Sequence, residues 1–461
     1  MNRRFLSVLA ISLALATFAP GLSANEDAPI QISTFWCDIT PPLGHPLCGG
    51  WIMPVVGFDD PEYAKGIVLK QGDLEVVLCS LDWCQLRNRS YDYFRETIGK
   101  ALDIPPSNVA VQCVHQHNAP IVDLGVESII PEDEEALIHA DYDFIRECAH
   151  KIADAAKDSR EHFHTVTHIG TSKGKVEKVA STRRLLQPDG SIIVRYSSAK
   201  EPEIRAMPEG RIDPWLRTVS FYQEDKPLAR LHYYATHPQS YYGDGRTTYE
   251  FPGIARERLQ EESGVFQIYF TGCAGDVAAG KYNDGTPEAR VRLTDEIYKG
   301  LVRSVSATEI EPVGDMAWDT YDLHLPGRTG EEYTLDHLKA SADNEEGPKT
   351  DRLKSALGIT WFERVQNGEP IEINCLSLGD VRILHLPGEP MVEFQFEAQK
   401  LGGDNLFVAV AGYGDCGMGY ICTEKSYEEG GYEPSASLLD PSAESVMKEG
   451  IAKLLEEAAK D

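Results

Sequence analysis

The 461-residue sequence predicts an α/β fold of mixed sheets with flanking helices, and three observations carry that expectation. Short apolar runs alternate along the chain with stretches whose apolar residues recur at helical spacing. With 42% hydrophobic and 25% charged residues, the chain can bury a large core. No long Pro/Gly/Ser linker divides it and no internal repeat is visible, so residues 25–461 read as one domain.

The elements follow in order. Arg3 and Arg4, an apolar run over 5–18 and the small residues Ser23-Ala24 read as a signal peptide, 1–24, so the protein is expected to be exported, periplasmic or secreted. That run is short for a bilayer and no later one approaches its length, so no stable membrane span is expected. Apolar runs over 67–70 and 74–81, broken by Gln71-Gly72-Asp73, predict a hairpin. Ser90 opens a helix with Tyr91, Phe94, Ile98, Ala101 and Leu102 at helical spacing, and Pro105-Pro106 ends it. Run 109–114 leads into His115, and a second helix is expected over roughly 134–158. Buried strands are expected over 228–235, 265–270, 381–386 and 406–411. Region 326–369, rich in charge and helix formers, reads as a solvated helical excursion in preference to a cap over a site. Asp440 as N-cap and Pro441 at the first helical position predict a last helix whose buried face is Met447, Ile451, Leu454, Leu455 and Ala458.

The net charge of −29, which loss of Arg3 and Arg4 makes more negative still, repels polyphosphates and anionic membrane surfaces. Nucleic acid is therefore excluded as a partner, while oligomeric state is left open. The ten cysteines include no CxxC pair, which argues against a zinc ribbon or a thioredoxin-type centre. Cys37–Cys48 and Cys416–Cys422 are close enough in sequence to pair in an oxidising compartment, but spacing does not decide connectivity. Cys79, in an apolar run, reads as a core residue.

Four polar segments each follow an apolar run directly: Val114-His115-Gln116-His117-Asn118-Ala119-Pro120, Tyr234-Ala235-Thr236-His237-Pro238, Phe270-Thr271-Gly272-Cys273-Ala274-Gly275-Asp276 and Leu386-Pro387-Gly388-Glu389. In α/β sheets, ligands gather at the carboxyl ends of strands, so these endings are expected to converge. His115 and His117, two apart in extended backbone, point to one side, so one can bind metal while the other handles protons. Two histidines with Glu389 would make a recognised catalytic zinc set.

These segments also resemble the neutral ceramidase family. Asp38-Ile39-Thr40-Pro41-Pro42 is similar to a motif near that family's mature start, and His115–Pro120 to its Thr-His-Thr-His-Ser-Gly-Pro. Ile212-Asp213-Pro214 with Val219-Ser220-Phe221, Thr236-His237-Pro238 and Glu250-Phe251-Pro252-Gly253-Ile254-Ala255 follow, then Leu386-Pro387-Gly388-Glu389. Gly419-Tyr420-Ile421-Cys422-Thr423 with Tyr427-Glu428 closes a set of seven motifs in the family's order, over roughly 32–432. The resemblance implies the fold of that family's N-terminal catalytic domain, and zinc bound by His115, His237, Glu389 and Tyr420. It implies His117 as a proton carrier beside the metal, and Arg183, with Arg184 as the alternative, as the arginine that contacts the substrate. Tyrosine is an unusual zinc ligand, and Tyr420 has the alternative role of hydrogen-bond donor to the tetrahedral intermediate.

The expected activity is zinc-dependent hydrolysis of an amide, in ceramide or another small-molecule or lipid N-acyl compound, by activated water. Two departures bear on it. Ala278 stands where the family carries a catalytic serine, and the helix over 440–461 stands where the family continues into an immunoglobulin-like domain. The alternatives are hydrolysis of a non-lipid amide or ester, and a degenerate relative that binds ligand or metal without turnover.

Overall fold

A computed structural model describes residues 22–23, 28–130 and 139–457. Three five-stranded sheets follow one another along the chain, and all three are built the same way. The first unit contains β1 (Gln31–Asp38), β2 (Tyr63–Gln71), β3 (Leu74–Leu81), α1 (Arg89–Leu102), β4 (Val109–Cys113) and α2 (Tyr142–Ser159). The second contains β5 (His168–Lys175), β6 (Trp215–Gln223), β7 (Lys226–Tyr234), α3 (Glu250–Ser263), β8 (Phe266–Thr271) and α4 (Pro287–Ser306). The third contains β9 (Met316–Leu323), β10 (Ile371–Leu378), β11 (Val381–His385), α5 (Val392–Gly402), β12 (Phe407–Ala411) and α6 (Ala443–Glu457).

In each unit the first three strands form an antiparallel meander, and a helix then carries the chain to a fourth strand parallel to the third. Parallel pairing needs such a crossover, whereas the hairpins close in two residues. Those two-residue turns are Gly72-Asp73, Glu224-Asp225 and Gly379-Asp380, and their first residues have φ of 58°, 56° and 55°. Glycine takes that left-handed conformation freely, while Glu224 adopts it at a steric cost. A short strand pairs with the outer edge of each first strand: His164–Thr165, Glu309–Pro312 and Leu22–Ser23. Leu22–Ser23 apart, the expected signal peptide lies outside the described residues.

One face of every sheet meets the other two in a shared core, which includes Ile67, Leu78, Phe221, Leu231, Trp318 and Ile383. The helices cover the outer faces, for example Phe94 and Ile145 over Val77 in the first unit. Burying both faces explains why the strands read as continuous apolar runs. The three third–fourth strand pairs end at equivalent registers: Leu81 opposite Cys113, Tyr234 opposite Thr271, and His385 opposite Ala411. Beyond them the backbones interlock. Cys113 N donates to Tyr413 O (2.8 Å) and Gly412 N to Thr271 O (2.9 Å), while the Thr271 hydroxyl donates to Val114 O (2.7 Å). All three sheets therefore deliver their carboxyl ends to one place.

Several sequence expectations are corrected. The chain does carry an internal repeat, of topology and not of sequence. The second helix begins at Tyr142, where the Asp141 carboxylate caps Phe144 N at 3.0 Å; residues 134–138 of the expected span lie outside the described ones. The last helix starts at Ala443, because Asp440 turns back on Ser442 instead of capping; Met447, Ile451, Leu454 and Leu455 are buried as expected, and Ala458 lies outside the described residues. Region 326–369 is no solvated excursion. Its helix Lys349–Gln366 buries Leu357, Ile359 and Trp361, and its polar residues pair inward: Thr360 Oγ1 donates to Asp123 (2.6 Å) and Arg364 Nη1 to Asp415 (2.9 Å). The ten cysteines are free thiols, nine of them buried.

Candidate functional site

The residues just past the strand ends form the site. His115 lies two residues beyond β4 with φ of 76°, its backbone N–H bonded to Trp83 O at 2.9 Å. His237 lies three residues beyond β7, and Glu389 four beyond β11. Gly388, at φ of 62°, allows the last approach, since a Cβ there would meet Gly419 O at 2.8 Å. Glu389 and Tyr420 then pair in parallel, which sets their side chains beside each other.

Nε2 of His115 is 3.2 Å from Nε2 of His237 and 3.1 Å from Glu389 Oε2, and His237 Nε2 is 3.4 Å from the same oxygen. The Nδ1 atoms face carbonyls, His115 to Cys84 O at 3.0 Å and His237 to Ala274 O at 2.7 Å. A carbonyl only accepts, so each Nδ1 carries the hydrogen and each Nε2 presents a lone pair. Glu389 Oε1 accepts from Gln85 Nε2 at 2.7 Å, and the buried Oε2 has no hydrogen-bond donor among the described residues. Three lone pairs thus converge in a buried space, an arrangement that repels itself unless a cation or proton sits among them. His115, His237 and Glu389 fit a metal ion on these grounds. Burial works against the Glu389 charge, and positive charge on His115 and His237 would favour it, so the carboxyl is held well below its usual range only when a cation or proton shares the space. Burial lowers His237 to about 4.

Arg183 closes one side. Its Nη1 donates to Tyr420 Oη (3.0 Å) and Gly275 O (3.3 Å) and lies 3.2 Å from His237 Nε2. Its guanidinium stacks 5.0 Å from the Tyr432 ring, and its Nε faces Glu433 Oε1 at 3.3 Å. Burial disfavours this charge, yet Tyr420 and Glu433 raise the arginine further. Arg184 points elsewhere, to Glu433 (3.0 Å) and Glu429 (3.2 Å), so of the two expected arginines only Arg183 reaches the site. His117 Nε2 is 3.4 Å from His115 Nε2, and burial lowers its pKa. His117, Arg183, Tyr420 and Tyr432 line a cavity of about 270 Å³ in front of the site.

Ala278 is buried, and its carbonyl accepts from Ser181 Oγ at 2.8 Å, so that hydroxyl is already committed. Other motif residues are structural: Asp38 caps Thr40, and Glu250 accepts from Ser240. Five neighbours were not singled out as site residues in the sequence. Gln85 anchors Glu389, Tyr413 stacks on His115 at 4.3 Å, Glu433 faces Arg183, and the Cys48–Cys84 thiol pair lies beside the histidines. Donation from Cys84 pulls the Cys48 thiol down against burial, while burial first and the Cys48 contact second push Cys84 up. Gln85 alone had a findable signal, since it follows β3 by the same four residues as Glu389 follows β11.

Solved structures that share this fold include two ceramidases. One, a ceramidase complexed with C2, superposes with a TM-score of 0.66 at 13% identity, over 93% of this chain and 75% of that one. The other, neutral ceramidase from Pseudomonas aeruginosa, gives 0.63 at 14% identity, over 94% and 75%. No protein-family model matches the chain, and neither does any curated protein. The fold is ceramidase-like.

Proposed function

We propose that the protein is a metal-dependent amide hydrolase, with zinc held by His115, His237 and Glu389 and with Tyr420 at the fourth position. The observation that carries this reading is the orphaned Glu389 Oε2 facing two imidazole lone pairs. Zinc in such a set supplies Lewis acidity to a carbonyl and acidifies a water.

The remaining chemistry belongs to the chain. Carbonyls of Cys84 and Ala274 fix the tautomers of His115 and His237, as outer partners of metal-binding histidines commonly do. Arg183 is a fixed buried cation aimed at the cavity side of the site, suited to the negative charge that develops on the carbonyl oxygen during attack. His117 borders both cavity and His115, where it can take a proton from water and return it to the leaving amine. With alanine at 278 and Ser181 committed, water is the nucleophile this site favours. The ceramidase-like fold supports N-acyl compounds as the substrate class. Export rests on the sequence of 1–24, and no helix among the described residues is long and apolar enough to cross a membrane.

The test pairs two variants. His237→Ala is expected to lose stoichiometric zinc, while His117→Ala keeps zinc and loses amide hydrolysis across a panel of N-acyl substrates that includes a fluorogenic ceramide. Unchanged metal in His237→Ala overturns the assignment.

A further inference from the structure

The cavity wall says what kind of N-acyl compound belongs there. An acyl chain is held by burying its surface at roughly 25 cal/mol per Å², which requires apolar walls. Among the described residues no aliphatic side chain lines this cavity; its wall is tyrosine, serine, glutamine, histidine and arginine. At about 270 Å³ it also falls below the span of most small-molecule pockets, about 300–1,000 Å³. A long acyl chain finds no aliphatic wall inside this cavity.

The rim is more specific. Tyr196, Tyr242 and Tyr432 are 54%, 56% and 39% exposed, and they are the exposed tyrosines among the described residues. All three stand at this one mouth, each from a different stretch of chain: beyond the strand Ile192–Val194, beyond His237, and at the start of Tyr432–Ala436. Tyr196 meets Tyr432 edge-on at 5.8 Å, and Tyr242 meets His117 at 5.8 Å. Tyr196 is held from behind by Gly280, where a Cβ would strike Tyr196 O at 1.9 Å. Ser198 and Gln239 also line the cavity, and no described residue hydrogen-bonds the Ser198 hydroxyl or the Gln239 amide. Exposed ring faces next to unspent polar groups suit a ligand that is itself a compact ring, with C–H faces and hydroxyl edges.

We propose that the cavity receives an N-acylated amino sugar. The pyranose faces pack on the rim tyrosines, its hydroxyls meet Ser198 and Gln239, and its amide reaches the metal-ligand cluster. This rests on the hydrolase reading for its chemistry. Water's oxygen forms the new C–O bond to the acyl carbon, the C–N bond breaks, and the amine leaves with the proton, giving a carboxylate and a free amino sugar.

The experiment titrates N-acetylglucosamine into the zinc-loaded protein by ligand-observed NMR, with amine release measured separately. Saturable millimolar binding is expected, weakened at least about tenfold in Tyr196→Ala and in Tyr432→Ala, with zinc content and melting temperature retained. Because Tyr196 and Tyr242 are largely exposed, Tyr242→Ala serves as a second variant that should also fold. Tyrosine-dependent binding without amine release upholds the cavity assignment and overturns the hydrolase reading. Absence of saturable sugar binding, binding indifferent to all three tyrosines, or cleavage of a dispersed short-chain N-acylsphingosine in place of the sugar overturns the cavity assignment.

Discussion

The first and third units end their strands at matching positions and place different chemistry there. Four residues past the third strand stand Gln85 in one and Glu389 in the other, joined by a 2.7 Å hydrogen bond. Two residues past the fourth strand stand His115 and Tyr413, both left-handed at φ of 76° and 62°, with their rings stacked 4.3 Å apart. The frame thus brings equivalent positions face to face, and residue type alone makes one asymmetric donor set from them. Had both units carried glutamate, two buried carboxylates would share one spot and one would take a proton. A neutral amide opposite the acid keeps a full negative charge at Glu389 and fixes which oxygen faces the histidines.

That comparison can be broken from either side. Glu389→Gln, which makes the third unit resemble the first, has the largest expected effect: zinc lost on purification and hydrolysis reduced to background, read by elemental analysis and assay. Gln85→Leu keeps the acid and removes its anchor, so metal affinity should fall roughly 10- to 100-fold, as for other outer partners of metal ligands; a chelator competition titration reads it. Arg183 and Arg184 give a sharper contrast within the second unit. Arg183→Ala should lower kcat by about 10²- to 10³-fold with zinc retained. Arg184→Ala should instead destabilise by about 2 kcal/mol, by stripping Glu433 and Glu429 of a partner, and leave kcat nearly unchanged.

A pH-dependent effect on stability alone concerns Asp276, whose carboxyl burial pushes up to about 6. Its unfolded value is about 3.9, so the native state holds the proton more tightly. The stabilisation is therefore complete below the unfolded value and lost as pH rises through about 6, leaving a buried charge at pH 8. Asp276→Asn keeps an acceptor for Val392 N and should stabilise by up to about 3 kcal/mol at pH 8, and little at pH 4, in thermal melts. Equal effects at both pH values would contradict the burial argument.

Much of the candidate cluster could be located in the sequence because its polar side chains follow apolar strands directly, as His115, His237 and Glu389 do. The threefold frame could not. Its third-strand endings read Asp82-Trp83-Cys84-Gln85, Ala235-Thr236-His237-Pro238 and Leu386-Pro387-Gly388-Glu389, which share nothing but position. The two-residue turns ending in Asp73, Asp225 and Asp380 were the one local signature of the repeat, too short to stand out. Region 326–369 misled through composition, since Thr360 and Arg364 look solvated in sequence but are paired to Asp123 and Asp415 in the interior. Gln85 drew no notice because its signal is positional, four residues past an apolar strand, and a lone glutamine adds no chemical one until the acid it anchors is beside it.

The most direct test of the central claim is elemental analysis of the purified wild-type protein before and after exhaustive chelation, with stability followed in parallel. About one zinc per chain is expected, with a melting temperature that falls on chelation and recovers on adding zinc, because the convergent lone pairs of His115, His237 and Glu389 repel without a cation. Protein that carries no metal, and melts identically with zinc and with chelator, would contradict it.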